Sequence, residues 1–234
     1  LLLRLRQNAR QPATQPGDAQ NQAQGAVVQE AFIGNWAQES HLSAEQLNSM
    51  RDLNHRFLDL AGARAGDWAA AGRDGEAGLG LLVAPLTRSQ RAAAANCPYA
   101  LFDLRFEDDA HWQGRLSNAA TWRVADDPKV DGDTIDFVRL ALFYAWHLAS
   151  GGGLACHLLM GMRSDTATAF RQMTVDRLPA LVATEAVNLT ARWSGCSAYW
   201  SALIAAAARA DSSALRRIQL SGLQLAAAAR LPSA

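Results

Sequence analysis

The stretch from Ser43 to Ala63, SAEQLNSMRDLNHRFLDLAGA, decides the fold class. Ser43 followed by Gln46 is a capping-box pattern: the serine side chain satisfies the Gln46 N–H, and the glutamine reaches back to the serine N–H. Leu47, Met50, Leu53, Phe57, Leu58 and Leu60 then recur at helical spacing, which predicts an amphipathic helix over residues 44–63. Thr87 predicts the cap of a short helix through Asn96, which Pro98 ends. Between these helices, Gly62 to Gly80 is Gly/Ala-rich and reads as irregular, with a turn at Asp74-Gly75.

Composition points the same way. Alanine supplies 48 of the 234 residues and aromatics only 7%. A surplus of the best helix former with few β-branched runs predicts an all-α protein. The run from Tyr99 to Phe106 alternates at its end and reads as a short strand, and Glu107-Asp108-Asp109 then signals the start of a helix through His111, Trp112 and Leu116. A second helical series runs from Ile135 to about Ala149, breaks at Gly151-Gly152-Gly153 and resumes from Leu154 to Met160. Ser164-Asp165 and Thr174 read as caps, Ser194-Gly195 as a break before a helix from Ser197 to Ala210, and Asp211-Ser212 as the start of a last helix ending near Arg230. Arg139, His147, His157 and the glycines interrupt the apolar stretch 135–162, so it reads as two buried helices and not as a membrane span.

Charge and cysteine content narrow the function classes. Twenty-two basic side chains balance 22 acidic ones, which disfavours a nucleic-acid binder built on a basic surface. Cys97, Cys156 and Cys196 are sparse and lack metal-ligand spacing, which predicts reduced thiols, a cytoplasmic protein and no metal or cofactor. The opening Leu1-Leu2-Leu3-Arg4-Leu5-Arg6 is too short for a signal sequence, and the absent initiator Met leaves the position of the native N-terminus open.

Three groupings invite chemistry, and each has a plainer explanation. Asp108-Asp109-Ala110-His111-Trp112 sets carboxylates beside an imidazole, but acidic residues also favour a helix N-terminus through its dipole. Cys156 and His157 are helix neighbours pointing about 100° apart, so they form no nucleophile–base pair. Gly151-Gly152-Gly153 lacks the following Lys-Ser/Thr of a phosphate loop. No catalytic, metal or cofactor residue is predicted.

The chain also matches itself at an offset of 87 residues. Leu86-Thr87 falls on Met173-Thr174, Arg105-Phe106 on Arg192-Trp193, Trp112 on Tyr199 and Leu116 on Leu203. Upstream, Asp52–Ala61 pairs with Asp136–Ala145 across a three-residue gap. The expected organisation is an arm at 1–30 rich in Gln and Ala, a first helical repeat at 31–116, a linker at 117–133, a second repeat at 134–210 and a C-terminal helix and tail at 211–234.

Each copy resembles the FlhD subunit of the bacterial flagellar transcriptional activator. Copy one carries Asp52-Leu53-Asn54, Ala61, Leu86-Thr87-Arg88-Ser89-Gln90 and Arg105-Phe106-Glu107-Asp108; copy two carries Asp136, Ala145, Leu148, Gly161-Met162, Met173-Thr174 and Arg192-Trp193. The resemblance covers residues 45–203. It implies two diverged FlhD-like repeats packed as an intrachain pseudo-dimer, working with a protein partner such as the FlhC-type subunit. Phe102 and Leu189 stand where the family has a cross-linking cysteine, and Leu158-Leu159 replaces its Phe-Arg pair, so DNA contact is expected only indirectly.

The expected function is therefore that of a non-catalytic bacterial regulator that binds a protein partner to modulate transcription of motility or secretion genes. The alternatives are a directly DNA-binding subunit and an enzyme of unrecognised type. The tryptophans read mostly as core or repeat-interface anchors, while exposed Trp with Arg typifies binding hot spots, so Arg105, Arg192, Trp112, Trp193, Trp200, Arg216 and Arg217 are the candidate partner-binding or repeat-bracing residues. The two arginines at equivalent positions are expected to brace the acidic turns that follow them. Self-association into a homodimer stays open, and no membrane contact is expected.

Overall fold

Side-chain caps start helices in both halves of the chain. In the computed structural model, which describes residues 42–117, 130–151 and 155–228, helix α1 spans Ala44–Ala70. Ser43 Oγ accepts from Gln46 N at 3.0 Å, and Gln46 Oε1 accepts from Ser43 N at 2.9 Å. The helix extends past the expected end at Ala63 because Ala65, Ala69 and Ala70 favour it and because Ala65 and Trp68 are buried. After a reversal at residues 71–73 comes α2 (Asp74–Val83), so the expected turn at Asp74-Gly75 is its first turn. A Cβ on Gly80 would lie 2.5 Å from the Ala61 carbonyl oxygen, so only glycine permits this close packing of α1 and α2.

Helix α3 (Arg88–Ala95) starts with the second capping box, Thr87 with Gln90. Next come β1 (Phe102–Asp103) and α4 (Asp109–Ser117), started by Asp108, whose carboxylate accepts the His111 N–H at 2.9 Å. Helix α5 (Gly132–Gly151) follows Asp131, which accepts from Thr134 N at 2.9 Å. A π-helical turn at Cys156–Met160 leads to α6 (Ser164–Gln172), and a 3-10 turn at Val175–Arg177 runs into α7 (Leu178–Glu185). The chain ends through β2 (Thr190–Ala191), α8 (Ser197–Ala208) and α9 (Ser212–Ala228). The fold is all-α. The expected arm at 1–30, Trp36, most of the linker including Trp122, the glycines 152–153 and Arg230 lie outside the described residues.

Packing interleaves the two halves. Helix α1 holds α2 and α3 and lies against α5, which in turn holds α6 and α7. Helix α4 packs on α6, while α8 packs on α2, α3 and α9. The two short strands pair antiparallel, Phe102 opposite Ala191 and Asp103 opposite Thr190. One buried polar side chain organises the approach to β1. Asn54 donates through Nδ2 to the carbonyls of Ala95 (3.3 Å), Cys97 (3.4 Å) and Tyr99 (2.8 Å), and its Oδ1 accepts the Leu101 N–H at 2.8 Å. It thereby satisfies a buried loop that has no ladder of its own. No helix among the described residues is long and apolar enough to cross a membrane.

Several features recur at a step of 88 residues, one more than the 87 that aligns Arg105 with Arg192. Helices α1 and α5 begin at 44 and 132, β1 and β2 at 102 and 190, α4 and α8 at 109 and 197. The step differs because backbone features recur where the sequence match followed side-chain likeness. Arg105 and Trp193, 88 apart, are the two non-glycine residues of these turns with left-handed φ, 59° and 54°.

Replacing Asn54 with Leu leaves buried backbone groups without partners and is expected to cost about 3 kcal/mol of stability in urea unfolding. A loss below about 1 kcal/mol would show that the loop satisfies itself by other means.

Candidate partner-binding groove

Helices α1 and α5 cross with a groove of about 420 Å³ on one side, floored by Leu60, Ala63, Phe137 and Leu140 and rimmed by Arg56, Asp59, Asp133 and Asp136. Helical spacing explains its make-up. Buried residues Phe137, Val138, Ala141, Leu142 and Ala145 form the inner face of α5, and the residues three or four positions apart on the flank come outward. On that flank Leu140 is 44% exposed and Phe143, one turn on, 38% exposed. Together they extend the groove's apolar floor onto the surface. An apolar centre within a charged rim is the anatomy of a protein interface.

Ion pairs surround the groove, and those of Arg64 to Asp131 and Asp133 bridge the halves. Arg64 on α1 reaches Asp67 at 2.8 Å, Asp131 at 2.5 Å and Asp133 at 3.3 Å. Asp59 pairs with Arg91 at 2.7 Å, and Asp136 with Arg139 at 2.5 Å. For the Asp131 carboxyl, burial works against the charge. The bonds from the Thr134 N–H and hydroxyl and the nearby Arg64 outweigh it and hold the group below the usual carboxylate range. Tyr144, farther along α5, donates its hydroxyl to the Gln46 carbonyl at 2.6 Å and ties the other end of the helix pair.

The residues nominated from sequence fall elsewhere. Arg105 is exposed and braces Asp108, with Nη2 to Oδ2 at 2.5 Å. Arg192 is buried; its guanidinium lies 4.8 Å over the Trp193 ring and 3.8 Å from Glu107, an acidic residue of the other half. Gly161 has a φ of 74°, a left-handed backbone that favours glycine, and the end of the Arg192 guanidinium lies against its Cα. Trp112 is in the core, its ring 5.8 Å from Phe106 and nearly parallel, and Trp200 is also buried. Trp193 is half-buried, within 5.4 Å of Tyr99 and 5.1 Å of Tyr199. Arg216 and Arg217 are exposed on α9, where Arg217 reaches Ser213 at 3.4 Å. The seven do not converge on one surface.

The acidic cluster beside His111 divides into separate roles. Asp108 caps its own helix, and this bond from the His111 N–H, with Arg105, holds its carboxyl below the usual range. Asp109 accepts from both the N–H (3.0 Å) and the hydroxyl (2.7 Å) of Thr166, so it caps α6 of the other half. His111 Nε2 lies 2.8 Å from Glu185 Oε2, and Arg115 Nε lies 2.9 Å from Oε1 of the same fully buried carboxylate. Nothing local in the sequence links residues 111 and 185. Burial pushes the Cys97 thiol up to about 11 and that of Cys156 to about 12, so neither supplies a thiolate at neutral pH. Among the described residues no group of His, Cys, Asp and Glu is arranged to hold a metal ion.

Replacing Asp131 with Ala removes the cap of α5 and the Arg64 bridge, with an expected cost of about 1–2 kcal/mol at neutral pH. A carboxyl with a lowered folded-state pKa stabilises above its unfolded pKa, and that stability is lost as pH falls through the folded value. The difference between wild type and variant should therefore shrink below about pH 4. A difference that stays constant into acid would show that the charge plays no part. No protein family, curated protein sequence or solved structure matches the chain.

Proposed function

We propose that the protein is a non-catalytic binding protein that offers the α1–α5 groove to an amphipathic segment of a protein partner. One observation carries the reading: Leu140, on the apolar floor of the charge-rimmed groove, and Phe143, one turn farther along α5, are both exposed to solvent. Burial of two such side chains supplies binding energy, and the rim pairs select orientation.

The resemblance to the FlhD subunit supports a regulatory role for that partner, with transcription of motility or secretion genes as the process modulated in the cytoplasm. The partner is then an FlhC-like or other regulatory subunit, and DNA is reached through it. Two features support a protein partner over direct DNA contact. The net charge is zero, and the arginines at 105 and 192 are engaged with Asp108 and Trp193.

Affinity purification of the tagged chain from its own bacterium, beside the double variant Leu140→Asp/Phe143→Asp, tests this. Both positions are exposed, so the variant should fold with an unchanged helical signal. The expected result is a co-purifying regulatory protein that the variant recovers at least about tenfold less well. Equal recovery by both proteins contradicts the groove. Recovery of DNA alone, falling steeply with salt, overturns the reading in favour of a direct DNA-binding subunit.

A further inference from the structure

We infer that residues 42–117 and 130–208 are two copies of one helical unit, in register at 88 residues, fused into a two-fold dimer in which each copy is the binding partner of the other. The strand pairing locates the axis. Phe102 faces Ala191 and Asp103 faces Thr190, so a two-fold through the centre of these four residues carries 102 onto 190 and 103 onto 191. The same step maps independent features. Ser43, whose side chain accepts from the N–H of residue 46, maps onto Asp131, whose side chain accepts from that of 134. Buried Met50, Leu53, Phe57, Leu60 and Ala61 map onto buried Val138, Ala141, Ala145, Leu148 and Ala149.

The turn beyond each strand repeats as well. Asp108 N donates to Arg105 O at 2.9 Å, and Cys196 N to Trp193 O at 2.7 Å. The Trp112 indole donates to the Arg105 carbonyl, and the Trp200 indole, 88 residues on, to the carbonyl of Arg192, one residue before the counterpart of Arg105, both at 3.0 Å. Helix-forming composition does not place an indole on a main-chain oxygen twice.

Contacts between the halves obey the step too, which two unrelated helical halves would not do. Helix α4 packs on α6, and its counterpart α8 packs on α2, the counterpart of α6. His111 bonds to Glu185 across the halves at 2.8 Å, and its counterpart Tyr199 bonds across the halves in the other direction, its hydroxyl 3.1 Å from that of Tyr99. The last helix of each copy is thus seated on the other copy. A closed, self-complementary interface of this kind is that of a two-fold dimer. This inference stands apart from the groove and survives its loss.

A site-specific protease sequence inserted between residues 117 and 130 of the full chain tests it. After cleavage of the folded protein, the two fragments are expected to co-elute at the mass of the uncut chain with the helical signal retained. Release of the fragments at micromolar concentration, folded or unfolded, overturns the claim that each half binds the other. Equivalence has its own readout in the uncut chain. The indole N–H protons of Trp112 and Trp200 should both be protected from exchange, their signals lost singly in Trp112→Phe and Trp200→Phe. One protected and the other exchanging at the solvent rate overturns the register.

Discussion

A backbone bridge of two residues on each side, β1 against β2, is the constraint on which the rest of this structure depends. Buried N–H and C=O groups must find partners, and strands this short have none within their own half. Leu101 O receives the Arg192 N–H at 3.0 Å, while Asn54 holds the neighbouring Leu101 N–H and the carbonyls before it. Beyond the bridge the chain turns through left-handed residues at 105 and 193, and a tryptophan indole binds an arginine carbonyl in each turn. Pulling the halves apart would leave the backbone groups that pair residues 101–103 with 190–192 without partners beside an apolar core lined by Phe57, Phe102 and Phe137. The helices pack as they do because this seam holds them.

How much of this was legible in the sequence varied with the physics involved. The capping boxes at Ser43 and Thr87 are local, so residue type and spacing sufficed to start α1 and α3. The helix-start signal at Asp108 was equally local. The stretch 62–80 read as irregular, because its glycines look like breaks until the close approach of α1 and α2 at Gly80 explains one of them. The strand from Tyr99 to Phe106 shrank to two residues, since Asn54 takes the backbone bonds that a longer ladder would need. Long-range polar contacts had no signal: Asp109 caps a helix 57 residues away, and Glu185 binds a histidine 74 residues away. The tryptophans read from sequence mostly as core or repeat-interface anchors, and Trp112 and Trp200 are buried beside the seam. The groove was missed because Leu140 and Phe143 lie within an apolar run that gives no hint of which flank faces water.

On the fused-dimer inference, the differences between the halves matter as much as the likeness. The same helix position is a histidine bonded to a carboxylate across the halves in one place and a tyrosine bonded to a tyrosine across them in the other. Tyr99 is buried where α9 crosses it, with its hydroxyl 3.1 Å from the Gln219 carbonyl, whereas Val187, its counterpart, is exposed. Helix α9 therefore marks one copy and not the other. Fusion frees each copy from the identity that a homodimer imposes, so a groove edged by Leu140 and Phe143 can belong to one side alone.

Native-state hydrogen exchange tests most directly whether the seam makes the two halves a single cooperative unit. The amides of Leu101 and Arg192, one from each half, should exchange only through global unfolding, with the same free energy and the same denaturant dependence. Exchange of one through a smaller, separate opening while the other stays protected would contradict the account.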